Sequence, residues 1–487
     1  MIRVGQAIRA AGRAFTSKQL VLGGALVSAG FVVEYGAQMI RMLVLARLLA
    51  PAEIGIVVSL NALYALVGMS TSLGVEVFLI HVRGGDRRNW LAVSHTLSLA
   101  QAALGAALLL LLAWPTTWLL ATPDALGTFL ALAVVPVLAG SSHMRNLQLT
   151  RRQVFWPAAL AATVGNLGGL LVSIGAAFVL RDSRALIWGL CATSALKSIM
   201  THLLTRVEYR LSFNKNELRQ ALGFGLPLML NGLMLALLGQ LDRILVGAFL
   251  GVEPLGSYGL AMTLILTPIS LLLRVGTVIF QPRLSAAWHS AVVTAFPSLF
   301  RQTTMVFAFL GGVYSLCIAT TGCIVLPIVF GTRFVVGAAF MAVLAGISLV
   351  RFAKGIANLG GVATGRTMDV MFSNAAGALG LLVAMVGLSL RPTLNVAAVS
   401  YLSGELLGTL LMVARLDRLF RLHEEGSPFR AFLVAAAVLI SAIAWVALAD
   451  PPLSSRVAFA TALVVLASIL GWRFASPLRG AARIKEN

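Results

Sequence analysis

Arg41-Met42-Leu43-Val44-Leu45-Ala46-Arg47-Leu48 returns about two hundred residues later as Arg243-Ile244-Leu245-Val246-Gly247-Ala248-Phe249-Leu250, with five of eight positions identical. Each copy closes a long apolar run, and each is followed by a glycine-containing turn and a second apolar run. Such an internal repeat marks a transporter built from two similar halves. Each copy also opens on an arginine inside its apolar run. Charge at membrane depth is costly, so its repetition points to a translocation path rather than to packing alone.

The surrounding composition supplies the membrane. Of 487 residues, 59% are hydrophobic and 11% charged, which excludes a soluble globular chain. Runs of about 20 apolar residues, enough to cross a ~30 Å hydrocarbon core, fill nearly the whole sequence. Fourteen are expected: 20–48, 54–80, 90–113, 125–149, 155–180, 185–204, 222–250, 255–281, 303–330, 335–359, 370–390, 394–414, 429–449 and 455–475. Their length and continuity predict an all-α polytopic membrane protein rather than a barrel.

The net charge of +20 invites a nucleic-acid reading, but its distribution opposes it. With the N-terminus placed in the cytoplasm, cytoplasmic segments hold 24 of the 37 Lys and Arg, and external turns hold six. That asymmetry follows the positive-inside rule and predicts both termini in the cytoplasm. Basic segments then meet anionic lipid, and no nucleic acid is expected. The first twenty residues are Arg-rich and amphipathic, without the apolar core and cleavage site of a signal peptide, and are expected on the inner surface. Cys191, Cys317 and Cys323 fall within spans, so neither a disulfide nor a metal site is expected.

Two basic connections divide the chain. Residues 1–19 form a cytoplasmic segment, 20–204 a first lobe of six helices, and 205–221 a polar linker. Residues 222–414 form a second lobe of six, 429–475 a further helix pair, and 476–487 a cytoplasmic tail. Six is even, so the lobes form a parallel pseudo-repeat about an axis along the membrane normal.

Polar residues inside the spans recur at helical spacing. Glu34, Gln38 and Arg41 form one stripe; Asn61, Gly68, Ser72 and Glu76 another. Asn231 and Asp242, with Arg243 adjacent, form a third, and Thr263, Thr267, Ser270 and Arg274 a fourth. Ser348, Arg351, Lys354 and Asn358 make the fifth, and Arg145 and Lys197 complete the set. Five striped helices predict a shared wet interior. Plainer roles stand beside each. Ser and Thr stripes serve helix packing, and Arg145 and Arg274 sit close enough to the cytoplasmic ends to snorkel. Arg41 with Glu34, and Arg243 with Asp242, are candidate ion pairs, while Glu76 and Glu405 either pair or couple protons. Pro136, Pro227, Pro268 and Pro327 are positioned to kink their helices. Arg351 with Lys354 resists a plain role, because two like charges on one face need an anion or water.

The cations Arg41, Arg145, Lys197, Arg243, Arg274, Arg351 and Lys354 outnumber the buried acids Glu34, Glu76, Asp242 and Glu405. An interior with excess positive charge attracts anions, and Arg forks suit phosphate oxygens. The arrangement predicts a phosphate-bearing headgroup loaded from inside and passed outward. No Gly-x-x-x-x-Gly-Lys-[Ser/Thr] loop is present, so no nucleotide cofactor is expected. Membrane potential, or H+ or Na+ exchange through Glu34 or Asp242, is the remaining drive.

Leu45-Ala46-Arg47-Leu48-Leu49-Ala50-Pro51-Ala52-Glu53-Ile54-Gly55 resembles the first helix-turn of Wzx-type polysaccharide flippases of the multidrug/oligosaccharidyl-lipid/polysaccharide (MOP) superfamily. Gly225-Leu-Pro-Leu, Asp242-Arg243 and Gly256-Ser-Tyr258-Gly-Leu-Ala261 agree in the second half, and the layout matches from residue 20 to about 420. The resemblance implies a two-lobe fold with a central cavity open to each side in turn. It also implies carriage of undecaprenyl-diphosphate-linked oligosaccharide to the periplasmic leaflet, for O-antigen, capsule or exopolysaccharide, alongside other polysaccharide assembly proteins. Only Arg47, Asp242 and Arg243 belong to the matching motifs. The lipid II branch carries an Arg-Asp pair where Val33-Glu34-Tyr35-Gly36 stands here, which speaks against a peptidoglycan role. Sister multidrug antiporters have twelve helices and acid-rich cavities. Polytopic polymerases and glycosyltransferases need a long external loop, and here the external turns are short and lack a catalytic cluster of His, Asp or Glu.

Overall fold

The computed structural model describes residues 17–82, 88–205, 207–290, 294–421 and 429–449. The expected amphipathic N-terminal segment, the last apolar run at 455–475 and the C-terminal tail lie outside the described residues, except for Ser17–Gln19, which open the first helix.

Helices follow the apolar runs in order. They are α1 Ser17–Leu48, α2 Pro51–Ser70, α3 Val75–His81, α4 Arg88–Leu119, α5 Leu126–Ala131, α6 Val134–Gly140, α7 Arg145–Arg151, α8 Trp156–Leu180 and α9 Arg184–Leu203. The second half continues with α10 Lys215–Leu250, α11 Val252–Trp288, α12 Ala295–Phe330, α13 Ala338–Ala363, α14 Thr367–Leu390, α15 Leu394–Arg421 and α16 Arg430–Ala449. Eleven helical stretches among the described residues are long and apolar enough to cross a membrane, and the chain is an all-α polytopic membrane protein. Pro51 and Pro157 stand in the first turns of their helices, where a missing N–H costs nothing.

The fourth run departs from expectation. It is broken after Ala131, resumes at Val134, and ends at Gly140. Pro136 explains the break, since it has no N–H to give the Leu132 carbonyl one turn earlier. Pro227, Pro268 and Pro327 lie within continuous helices.

The chain divides into two compact units. One takes in α1 as far as Met42 and residues 67–117 and 123–233; the other takes in residues 43–66, 118–122 and everything from Met234. In the first unit α8 and α9 pack through glycine. A methyl group on Gly169 would lie 2.7 Å from the Gly189 carbonyl oxygen, so the backbones touch directly. In the second unit α14 and α15, the equivalent fifth and sixth spans of their half, do the same. A methyl on Gly404 would lie 2.4 Å from Gly377 O, and one on Gly408 would lie 2.6 Å from Ser373 O. Here the repeat is visible in packing as well as in sequence.

The second unit also contains a contact between repeat-related residues. Gly55 and Gly256 sit one turn into α2 and α11, and a methyl on Gly55 would lie 1.8 Å from Val252 O. A methyl on Gly256 would lie 2.8 Å from Pro51 O. Nearby, Arg47 Nε donates to Val329 O at 3.1 Å and its Nη2 donates to Ile328 O, capping the C-terminal turn of α12. A cation on these unsatisfied carbonyls complements the helix dipole. Around them, Tyr258, Phe300, Phe330, Phe334, Phe340 and Phe352 are fully buried and form the aromatic core of the unit.

In the first unit the linker after α9 is held by side chains. His95 Nδ1 donates to Arg210 O at 3.0 Å, while its Nε2 accepts from Met144 N–H at 3.1 Å. His143 Nε2 donates to Val207 O at 3.0 Å, and its Nδ1 accepts from Arg145 N–H at 3.1 Å. Both imidazoles are therefore neutral, each with one nitrogen giving and one receiving. Tyr209 stacks on His95 at 4.1 Å between centroids. Burial, with His202 and Arg145 nearby, pushes the His143 imidazole below its ordinary range.

Candidate functional site

The site lies in the second unit, where α10, α13, α14 and α15 contribute to one narrow pocket. Leu238, Leu381, Ala384, Leu388 and Ala397 give it apolar walls, and Asp242, Lys354, Tyr401 and Glu405 supply its polar groups. Gly377 and Gly380, at the α14–α15 crossing, keep side chains out of its floor. Methyls on Gly377 and Gly408 would stand 3.6 and 3.5 Å from Lys354 Nζ, so the ammonium group reaches into that crossing.

Arg351 and Lys354 stand three residues apart on α13, one above the other on a single face. The anion they require is provided from α15. Glu405 Oε1 lies 3.1 Å from Arg351 Nε, and Oε2 lies 3.1 Å from Lys354 Nζ. Glu405 and Lys354 are each 9% exposed, which makes this a buried pair rather than a surface one. Arg351 is also placed by Tyr401, one turn before Glu405: its Nη2 donates to the Tyr401 hydroxyl and its guanidinium sits 5.5 Å from the ring centroid. The contact between Arg351 Nε and Glu405 is electrostatic only, since this buried N–H makes no hydrogen bond.

Asp242 enters the same pocket from α10. The Tyr258 hydroxyl donates to Oδ2 at 2.9 Å, whereas the buried Oδ1 has no hydrogen-bond partner. Arg243 points elsewhere, its Nη1 donating to Gln240 Oε1 and, at 3.3 Å, to Gly239 O on its own helix. Consecutive residues on a helix face different directions, so Arg243 makes no salt bridge to Asp242, although its charge and that of Arg351 still act on the carboxylate.

The other striped residues are dispersed. Arg41 is half-buried on α1 with its Nε unbonded, while Glu34 on the same helix is exposed. Glu76 is exposed in the first turn of α3. Arg145 stands not within a span but on the short α7, where its Nη1 donates to Gln148 Oε1 at 2.6 Å. Lys197 and Arg274 are exposed on α9 and α11. The hydroxyls of Thr263 and Ser348 bond to Gly259 O and Ala345 O on their own helices, and the Ser348 hydroxyl also lies 2.6 Å from that of Ser315 on α12. These hydroxyls thus act in packing. Sequence reasoning found Arg351, Lys354, Asp242 and Glu405 but not Tyr258 or Tyr401. Tyr401 was detectable only as the residue one turn from Glu405 on the same face.

The fold has solved relatives. A lipid II flippase MurJ in an inward closed conformation matches with a TM-score of 0.63 at 10% identity, covering 93% of this chain and 99% of the other. An inward-facing multidrug resistance MATE transporter of the MOP superfamily matches with a TM-score of 0.54 at 13% identity, covering 88% and 96%. A MOP superfamily transporter from Pyrococcus furiosus, described by the reversed polarity of its binding pocket, gives 0.54 at 15% identity, covering 86% and 96%. At these identities the likeness establishes the fold, that of MOP-superfamily transporters. No curated protein matches by sequence. The model of the polysaccharide biosynthesis protein family matches residues 44–348, more than half of the chain, and this membrane protein belongs to that family.

Proposed function

We propose that this protein is a flippase that carries undecaprenyl-diphosphate-linked oligosaccharide from the cytoplasmic to the periplasmic leaflet of a bacterial inner membrane. Both termini then lie in the cytoplasm, and the substrate feeds assembly of O-antigen, capsule or exopolysaccharide. The family supports a polysaccharide substrate, and the fold supports transport by alternating access. The observation that carries the reading is the pair Arg351 and Lys354, two cations held together inside apolar helices and matched to an acceptor with two oxygens on one centre. Phosphoryl groups present that geometry with more charge than a carboxylate.

Asp242 is the coupling acid in this scheme. Glu405 is neutralised by two cations and Glu34 and Glu76 are exposed, whereas Asp242 is buried with one oxygen open to H+ or Na+. Arg41, Arg145, Lys197, Arg243 and Arg274 then act as a distributed positive field along the path rather than as direct ligands.

Mass spectrometry of polyprenyl-linked glycans in cells depleted of the protein tests the proposal. Accumulated undecaprenyl diphosphate carrying a complete repeat is expected, and it identifies the sugar. Unchanged lipid-linked pools, with new sensitivity to cationic dyes, would overturn the reading in favour of multidrug antiport.

A further inference from the structure

We infer that Glu405 is a built-in stand-in for the substrate's phosphate: it occupies the Arg351–Lys354 clamp when no substrate is bound and is displaced when a prenyl diphosphate arrives. The inference rests on the flippase reading and adds an exchange step to it.

Three features of the clamp support displacement rather than a permanent ion pair. First, two cations converge on one carboxylate, while Asp242, the other acid of the pocket, makes no salt bridge to either. A diphosphate brings at least two negative charges to both cations at once. Second, the fit to Arg351 is incomplete. Its buried Nε–H stands 3.1 Å from Glu405 Oε1 without making a hydrogen bond, although Tyr401 holds the guanidinium from the other edge. A flat carboxylate offers two acceptors in one plane, whereas a phosphoryl group offers three around a tetrahedral centre, so one reaches Nε–H while another keeps Lys354. Third, apart from Asp242 and Tyr401, the walls beside the clamp are apolar. Leu238, Leu381, Leu388, Ala384 and Ala397 present a lipid-compatible face, so a phosphate carrying an isoprenoid tail suits this narrow site better than a free phosphate does.

The exchange carries a proton. Once displaced, the Glu405 carboxylate faces Asp242 from α10 and the arriving phosphate on α13's cations, with Tyr401 beside it and uncharged α14 residues around it. Leaving both cations in these surroundings, it takes up a proton from solvent, and it gives that proton back when it re-pairs after substrate release.

Binding of farnesyl diphosphate and of inorganic pyrophosphate to the full-length protein in lipid nanodiscs tests this. Glu405→Gln is expected to bind farnesyl diphosphate at least tenfold more tightly than the wild type, because the resident competitor is gone. Arg351→Ala with Lys354→Ala should bind neither probe. Farnesyl diphosphate should bind more tightly than pyrophosphate, and equal binding would overturn the assignment of the apolar wall to a lipid tail. Infrared difference spectra of the wild type keep the test independent of the variant's folding. Binding should create a protonated carboxyl band that Glu405→Gln lacks, and no such band would overturn the exchange. Equal or weaker binding by Glu405→Gln, with the double alanine variant inactive, would make Glu405 a positioning residue only. Each of these last two results leaves the flippase reading standing on its lipid-linked glycan test. Binding retained by the double alanine variant would remove the clamp from both.

Discussion

The Tyr258 hydroxyl donates a 2.9 Å hydrogen bond to one oxygen of Asp242, and the other oxygen of that buried carboxylate is unpartnered. A carboxylate held on one side and open on the other is suited to receive and release a cation. Asp242→Asn should therefore abolish glycan export while the protein still inserts and accumulates. Tyr258→Phe removes a hydrogen bond to a charged acceptor, worth about 1.5–3 kcal/mol, and should lower the melting temperature while leaving partial export. Export assays beside thermal melts in detergent separate the two outcomes.

Breaking the clamp from one side should be worse than removing it whole. Lys354→Ala takes away the hydrogen bond that Glu405 receives in the clamp and should destabilise the protein by about 1.5–3 kcal/mol. Arg351→Met, Lys354→Met and Glu405→Gln together remove all three charges at similar volume and should restore most of that stability. Export should remain lost in the triple variant, since the phosphate has no cation to meet. A thermodynamic cycle from denaturation midpoints measures the first claim, and glycan secretion the second.

Glycine positions should divide by the space around them. Gly55→Ala places a methyl where Val252 O already stands, so the crossing of α2 and α11 must part. Loss of export and a marked fall in melting temperature are expected. Gly36→Ala, with nothing within 4 Å of the added methyl, should be tolerated and should gain up to about 1 kcal/mol of helix propensity. Melting curves for the two variants make the comparison.

The linker latch should weaken in acid. Because burial holds the folded-state His143 imidazole below its unfolded value of about 6.5, the folded form binds fewer protons there. Its contribution is then full above about pH 6.5 and declines as pH falls below it. Trypsin cleavage at Arg210 and Lys215, taken relative to cleavage of an unstructured peptide at the same pH, should accelerate from pH 7.5 to 5.5. His143→Gln, which retains one donor and one acceptor, should reduce that dependence, and His143→Ala should give rapid cleavage at every pH.

The spans were legible because apolar length is a local property. The run at 155–180 became α8 at Trp156–Leu180, and that at 370–390 became α14 at Thr367–Leu390. Arg145 was misplaced into the fourth span because apolar residues continue past Gly140, whereas the chain turns at Ser141–Met144 and starts a new helix. The cation pair was legible too, and so was its need for an anion. Which acid answers it was not, since Glu405 lies 51 residues from Lys354 and only the packing of α13 on α15 joins them. The histidine latch draws on α4, the α6–α7 turn, α9 and the linker, and no spacing rule spans four such segments.

Gly55 and Gly256 occupy equivalent places in the two repeats, and here they belong to one contact. Each glycine meets the first residue of the other's helix, Val252 for one and Pro51 for the other, so the contact is reciprocal. Main chain lies on main chain at both ends of it, with no side chain between that could change rotamer and take up a shift. The register of α2 against α11 is thus written into backbone alone, and one helix cannot slide without carrying the other.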